Sequence, residues 1–248
     1  MSRPDTVYGR HPVLELLRSR PGEIRRLHVM EGKTRGPLAE IVDAAQDESI
    51  KIVWTQKRDL NSMAGGGVHQ GVVALVNPFQ YSELEDILER GRSHDRHPLI
   101  LALDSIQDPH NLGALVRSAL ALGADGVIIP KDRACEVTGV AAKSSAGAVA
   151  HLPIVRVTNL KRTLVDLQKD GFWVVGTVAD GGQPLQSQDF LQPIILVIGS
   201  EGKGIRQKLA EACDFKVRIP MVGDIGSLNA ASAGSICLYE VLRQRLVK

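Results

Sequence analysis

The chain has 248 residues, room for one large domain or two modest ones, and at that size folding removes roughly 70–75% of the unfolded chain's surface from water. Its 44% hydrophobic and 23% charged residues form an ordinary globular mixture that excludes disorder and collagen-like repeats, and 4% aromatics argue against single-strand binders built on rows of stacking rings. Thirty Lys and Arg against 28 Asp and Glu leave +2, so a polyanionic partner would have to meet a local patch rather than an overall field.

The opening MSRPDTVYGRHP has no apolar targeting core and no stretch approaches 18 consecutive apolar residues, so neither export nor membrane insertion is expected and the location expected is cytoplasmic. Val13, Leu14, Leu16 and Leu17 recur at helical spacing after His11-Pro12, which starts a helix there. Short apolar segments at Leu27 to Val29, Ile50 to Trp54 and Gly71 to Val76, with a helical stretch near Leu38 to Ala45, make residues 1–77 a small α/β unit. Arg18, Arg20, Arg25, Arg26, Lys33 and Arg35 crowd its first half, where the first 40 residues hold eight Lys or Arg against five Asp or Glu. Such a run is either a solvated face or a patch for RNA phosphates.

Residues 78–98 turn charged and weakly apolar between prolines, and read as a linker with room for one short helix at Ser82 to Arg90. His94 and His97, with no further ligands nearby, read as solvated rather than as a metal pair. From Leu99 to Lys248 apolar runs (LILALD, DGVIIP, WVVGTV, PIILVIGS, DFKVRIP) alternate with helical segments near 113–122, 136–148, 160–170, 205–212 and 229–244. Continuous apolar runs belong to strands buried on both faces, so 99–248 is an α/β domain with a mostly parallel sheet. Cys135, Cys213 and Cys237 are odd in number, widely spaced and without a CxxC, as reduced core residues would be.

In such a sheet ligands gather beyond the carboxyl ends of the strands. LALD is followed by a polar loop that puts Asn111 near a helix N-cap and Arg117 one and a half turns on; amid Leu115, Val116 and Leu120, that arginine is either a buried ion pair or an anion-binding hand. LVIGS leads into GSEGKG, whose glycines allow close backbone approach, but its spacing matches neither a Walker loop nor GxGxxG. VRIP is followed by Met221 to Asn229, with Ser227 and Asn229 able to hydrogen-bond a ligand ahead of a small-residue helix, and Thr177 ends another strand. No Ser-His-Asp arrangement, HExxH or GxSxG appears, and His110 and His151 lack an obvious acidic partner, which disfavours hydrolase chemistry.

Three segments, DSIQDPHNLGALVRSALALGADGVIIP, LVIGSEGKGI and VRIPMVGDIGSLNAASAGSICLYE, resemble the three signature motifs of the SpoU (TrmH) branch of the SPOUT RNA methyltransferases. Residues from VYGRHPVLELL to HQGVVALV resemble the small L30e/L7Ae-like RNA-binding domain found in front of that fold in bacterial 23S rRNA (guanosine-2'-O-)methyltransferases. The resemblance implies methyl transfer from S-adenosylmethionine to a guanosine ribose 2'-hydroxyl in the peptidyl-transferase region of 23S rRNA, by a metal-free homodimer whose C-terminal domain carries a deep trefoil knot. Methylation of tRNA or of another rRNA position is the sister reading, and a non-catalytic ribosome-assembly factor the reading of another class. By motif position Asn111, Arg117, Glu201, Ser227 and Asn229 are the catalytic set. Thr177, Gly199, Ile219 and Leu228 would hold the cofactor through main chain, and Arg10, Arg18, Arg25 and Arg26 would contact RNA. A guanidinium is a poor base, so Arg117 either activates the hydroxyl directly or binds the adjacent phosphate and lowers the hydroxyl's pKa. The third motif reads SLNAASAG where SLNVSVA is usual, which implies looser packing beneath the cofactor.

Overall fold

Short strands and amphipathic helices alternate through residues 6–32, 36–223 and 226–246, which the computed structural model describes. The first of two units, Met1–Gln80, contains β1 (Thr6–Tyr8), α1 (Arg10–Ser19), β2 (Ile24–Met30), α2 (Pro37–Asp47), β3 (Ile52–Thr55), α3 (Lys57–Met63) and β4 (Val72–Val76). The strands lie in the order β1-β4-β2-β3, with β2 and β3 parallel and the other neighbours antiparallel. Val13, Leu16 and Leu17 of α1 bury together with Leu38, Ile41 and Ala45 of α2 and Leu27 and Val29 of β2; each valine, leucine and isoleucine among them stabilises the unit by about 1.5–3 kcal/mol. Leu60 and Ala64 form a smaller cluster with Val73. β1 and α3 are absent from the sequence reading, because three residues show no period and KRDLNSM buries only Leu60. A register shift between Ile24 and Arg26 bulges β2. Ile24 and Leu27 bury in the same core while Arg25 and Arg26 are both exposed, so the extra residue turns two successive arginines outward together.

The second unit, Tyr81–Lys248, contains α4 (Leu84–Arg92), β5 (Leu99–Asp104), α5 (Pro109–Ala121), β6 (Gly126–Pro130), α6 (Gly139–Ser144), β7 (Ile154–Val157), α7 (Leu160–Lys169), β8 (Trp173–Thr177), β9 (Gln183–Pro184), β10 (Ile194–Gly199), α8 (Gln207–Ala210), β11 (Phe215–Arg218) and α9 (Ala230–Leu246). Its seven strands are all parallel, in the order β7-β6-β5-β10-β8-β11-β9. Every residue of β5, β6 and β10 is buried, as the apolar runs require when helices cover both faces. Ile100, Ala102, Ile128, Ile195 and Val197 point into one core with Leu160, Leu164 and Leu167 of α7 and Leu209 of α8. On the other helices, α5 packs against α6 and α9, and α9 also meets β10.

Several boundaries differ from the sequence reading. The stretch read as a linker belongs largely to the second unit: a capping box between Glu83 and Asp86 starts α4, and Leu84, Ile87 and Leu88 form an apolar stripe whose Ile87 joins the α7 core. The helix expected over 136–148 contracts to α6, because Ala146 and Gly147 turn to φ 48 and 86, and the one expected over 205–212 contracts to α8. β7 and β9 were not expected, since four and two residues beside prolines carry too little pattern. Lys33 and Arg35, and Asp224 and Ile225 of the loop before α9, lie outside the described residues.

Candidate active site

From β5 the chain runs outward one way through β6 and β7, then crosses to β8 on the other side, and β10 later fills the gap between β5 and β8. The loops leaving β8, β10 and β11 thus meet beside a point where strand order reverses, the place where open parallel sheets bind ligands. A cleft of about 290 Å³ opens there, close to the lower end of small-molecule pockets, about 300 Å³. Thr177, Gly199, Ile219, Ser227 and Leu228 all line it, as do Ser200, Glu201 and Met221; Ser200 and Met221 were not singled out beforehand, although each adjoins a residue or motif that was. Ala230 and Ala233 of α9 line it too, so the small residues of the third motif floor the cleft.

The backbone explains the glycines. A Cβ at Gly199 would lie 2.0 Å from Gly204 C and 2.2 Å from Ile205 N, because the chain folds straight back over it. That turn is closed by Ser200 N donating to Gly204 O (3.1 Å) and Gly204 N to Ser200 O (2.8 Å). Thr177 Oγ1 donates to Val197 O at 3.0 Å, locking the β8 end onto β10.

Three motif residues come together at the rim. Asn229 Nδ2 donates to Asn111 Oδ1 at 2.9 Å and to Glu201 Oε2 at 3.3 Å. Its Oδ1 accepts from Ala231 N (2.9 Å) and Ser232 N (3.3 Å), capping α9. One side chain therefore joins loops 118 and 28 residues apart. Ser118 Oγ and Ser235 Oγ, 2.8 Å apart, and the backbone of Gly234, whose Cβ would meet Leu115 Cδ2 at 2.3 Å, hold α5 against α9 behind this cluster. Asp108, not Asn111, caps α5, accepting from His110 N at 2.9 Å; Asn111 sits inside the first turn with its amide free for Asn229.

Arg117 is not with them. It is exposed, has no ion pair among the described residues and lies outside the lining of the cleft, which removes the reading of a buried ion pair. Six residues beyond Asn111, it stands about 9 Å further along α5 and about 120° around it. In the first unit, Arg10 Nε donates to Gln70 O at 3.1 Å and Arg18 pairs with Glu40 at 2.6 Å, whereas Arg25 and Arg26 carry no ion pair among the described residues.

Glu201 is the only ionisable residue among the described residues that line the cleft. With one carboxylate, apolar Ile198, Ile219 and Leu228, and much bare main chain, the cleft suits a partly apolar ligand bearing positive charge, and its described lining residues offer no cation to balance a polyphosphate. Among the described residues no cluster of His, Cys, Asp or Glu could hold a metal. His94 is exposed, as expected, and its Nδ1 lies 2.9 Å from the buried Asp125 carboxylate. Burial pushes the Cys237 thiol up to about 12 and the Cys213 thiol up to about 11, so neither serves as a thiolate.

Residues 98–239 match the SpoU rRNA methylase family, and residues 6–82 match the RNA 2'-O ribose methyltransferase substrate-binding family. The chain is 42% identical to the 23S rRNA (guanosine-2'-O-)-methyltransferase RlmB of Pseudomonas putida, with all of both chains covered. It is 41% identical to the putative TrmH family tRNA/rRNA methyltransferase YacO of Bacillus subtilis, covering 97% of this chain and 96% of that one. Among solved structures it resembles the SpoU methyltransferase AviRb of Streptomyces viridochromogenes in complex with AdoMet, at 28% identity and a TM-score of 0.67, covering 98% and 91% of the two chains.

Proposed function

The chain belongs to the SpoU rRNA methylase family, and from that premise we propose that it transfers the methyl group of S-adenosylmethionine to the ribose 2'-hydroxyl of a guanosine in the peptidyl-transferase region of 23S rRNA. The observation that carries the reading is the Asn111–Asn229–Glu201 cluster, assembled from three separate segments at the rim of a main-chain-lined cleft. The fit of the cleft to a cationic, partly apolar ligand supports the cofactor, and full-length similarity to RlmB supports the substrate.

When bound, the cofactor supplies an electrophilic methyl carbon on a sulfonium, so the protein's main task is alignment. Thr177, Gly199, Ile219 and Leu228 hold it through main chain and apolar contact. Asn229 fixes Asn111 and Glu201 at the mouth, where their remaining lone pairs and protons, with the Ser227 hydroxyl, orient the ribose. Arg117 acts as a positive charge rather than as the base: it binds the phosphate beside the target and lowers the pKa of the 2'-hydroxyl, while a phosphate oxygen or water takes the proton.

The active form in this reading is a homodimer. Ser232, Ile236, Tyr239, Arg243 and Leu246 are all exposed on α9 and recur at i, i+4, i+7, i+11 and i+14, a stripe suited to a second helix. Arg117, idle on its own protomer, then serves its partner's cleft. Arg25 and Arg26, turned outward by the bulge in β2, and to a lesser degree Arg10 and Arg18, meet RNA phosphates. The natural setting is the cytoplasm, where rRNA is made; among the described residues no helix is long and apolar enough to cross a membrane.

The test supplies labelled S-adenosylmethionine and total RNA from a strain lacking the gene, then maps the product. Label at a single 2'-O-methylguanosine of 23S rRNA is expected. Label in tRNA alone would replace the substrate, and no labelled ribose in any RNA would remove the enzyme.

A further inference from the structure

Asp104 ends β5 directly opposite Gly199, its register partner on β10. Its side chain is wholly buried, which a carboxylate tolerates only when paired and hydrogen-bonded. One residue supplies nearly all of that: Arg206 donates to it from the backbone N at 2.8 Å and from Nε at 2.7 Å, with a second guanidinium nitrogen at 2.7 Å. Ser105 follows at φ 64, in the left-handed region that a non-glycine residue seldom adopts, and donates from Oγ to Asp104 at 3.3 Å. Strained backbone of this kind persists where the surroundings hold it in place.

Arg206 is also where the turn over Gly199 ends. The segment between them is fastened at its start by β10 and at its end by Asp104; in between run the Ser200–Gly204 hydrogen bonds, Lys203 N donating to Glu201 O at 3.0 Å, and the bond from Asn229 to the Glu201 carboxylate. Glu201, Gly202 and Gly204 of that segment line the cleft, and Glu201 is the acceptor for Asn229. We propose that Asp104 and Arg206, outside the catalytic set, are positioning residues that hold the Gly199–Ile205 turn in its ligand-binding shape. This rests on the reading that the cleft takes S-adenosylmethionine.

The molecule contains its own control. Asp125 is equally buried and is held by Arg96 at 2.7 and 3.0 Å and by Leu99 N at 2.8 Å. It lies beside the opposite ends of the strands, and none of its partners lines the cleft. A pair that merely stabilised the fold would act like Asp125.

Full-length wild type, Arg206→Ala, Asp104→Asn, the double variant and Asp125→Asn would be titrated calorimetrically with S-adenosylmethionine, and their ligand-free forms digested with trypsin to follow cleavage after the exposed Lys203. Arg206→Ala and Asp104→Asn should each raise Kd about tenfold, the scale of one charge-assisted hydrogen bond. The double variant should lie within about threefold of either single one, since both break the same link. Cleavage after Lys203 should quicken in the ligand-free variants, and Asp125→Asn should lower Tm with Kd unchanged. Wild-type Kd and cleavage rates in Arg206→Ala, whose side chain is partly exposed and whose folding is least at risk, would overturn the proposal. So would equal loss of affinity in Asp125→Asn. Wild type that binds no S-adenosylmethionine would overturn the proposed function instead, and the Lys203 cleavage rates would still decide whether the pair holds the turn.

Discussion

The two edges of the seven-stranded sheet use the same kinds of group to opposite ends. At the edge where strands begin, Asp125 and Arg245 are spent on the fold. Asp125 accepts from Arg96 and Leu99 N, and Arg245 donates to the carbonyls of His97, Pro98, Phe190 and Gln192 at 2.6–3.4 Å. Burial, with Arg96 nearby, pushes Arg245 down to about 10, which still leaves it charged at neutral pH. At the edge where strands end, Asn111, Glu201 and Asn229 are joined by two hydrogen bonds and keep capacity to spare. A saturated polar group stabilises; one with unused donors and lone pairs on the rim of a cleft can bind. Stability and chemistry are thereby separated along the length of the strands.

Breaking the second edge should give the largest effect. Asn229→Ala removes the one donor shared by the other two motif residues, and methyl transfer should fall at least about 100-fold, as for other preorganised donors at a reacting centre. Loss of the α9 cap adds about 1 kcal/mol of destabilisation. Single-turnover transfer to rRNA beside a thermal unfolding curve checks both; transfer within tenfold of wild type would mean that the cluster is structural. Arg245→Ala is the mirror experiment. Four carbonyls lose a charged donor, and unfolding should become easier by about 2–4 kcal/mol, roughly 5–10 °C in Tm at this chain length, while the affinity for S-adenosylmethionine stays at its wild-type value.

Two glycines sharpen the contrast at smaller cost. An alanine at Gly199 would drive Cβ into backbone, Gly204 C at 2.0 Å, whereas one at Gly126, where β6 begins, would meet Ile87 Cγ1 at 2.4 Å. Side chains at such sites shift at about 1–3 kcal/mol; backbone in a tight turn has less room to give. Gly126→Ala should therefore lower Tm with intact cofactor binding, and Gly199→Ala should lose cofactor binding by calorimetry. Equal behaviour of the two would erase the distinction between the edges.

How much of this was legible in the sequence follows the range of each signal. The buried strands β5, β6 and β10 announced themselves because both faces are apolar, and Asn111, Glu201 and Asn229 because their loops match a family pattern. The hydrogen bonds among those three were not legible: contact across 118 residues has no local period. For the same reason the partnership of Asp125 with Arg96, and of Arg245 with Pro98, left no trace in spacing. Arg117 was undecided for a different reason. Its apolar neighbours on the chain left a buried ion pair and an anion-binding hand equally open; they face the core on other sides of α5 while the guanidinium faces out, which removes the first. In the segment read as a linker, the one short helix expected at Ser82 to Arg90 forms as α4, and composition alone did not show that Leu84, Ile87 and Leu88 make it an apolar stripe in a stretch that is otherwise charged.

The smallest predicted effect concerns the element that spans both edges. α9 begins at the capping Asn229 and ends, about 25 Å on, with Arg245 in its last turn, so one helix carries both a site residue and a staple. Between them Glu240 accepts from Arg243 at 2.8 Å twice and from Gln244 at 2.9 Å, and these bonds, Arg243 foremost, hold its carboxyl below the ordinary value of 4.5. A carboxyl lowered in the folded state lends stability above its unfolded pKa and loses it as pH falls through the folded one. Glu240→Gln should thus be less stable than wild type by about 0.5–1 kcal/mol at neutral pH, and the gap should close as the medium is acidified below 4.5. Denaturant unfolding across that range measures it; a gap constant with pH would mean that the carboxyl's charge contributes nothing. Cofactor affinity should not follow the loss, because the first turns of α9 are held separately, by the Asn229 cap and by Gly234 packed on Leu115. If affinity fell with stability in wild type and not in Glu240→Gln, α9 would be acting as a rigid lever between the two edges, and their separation would be incomplete.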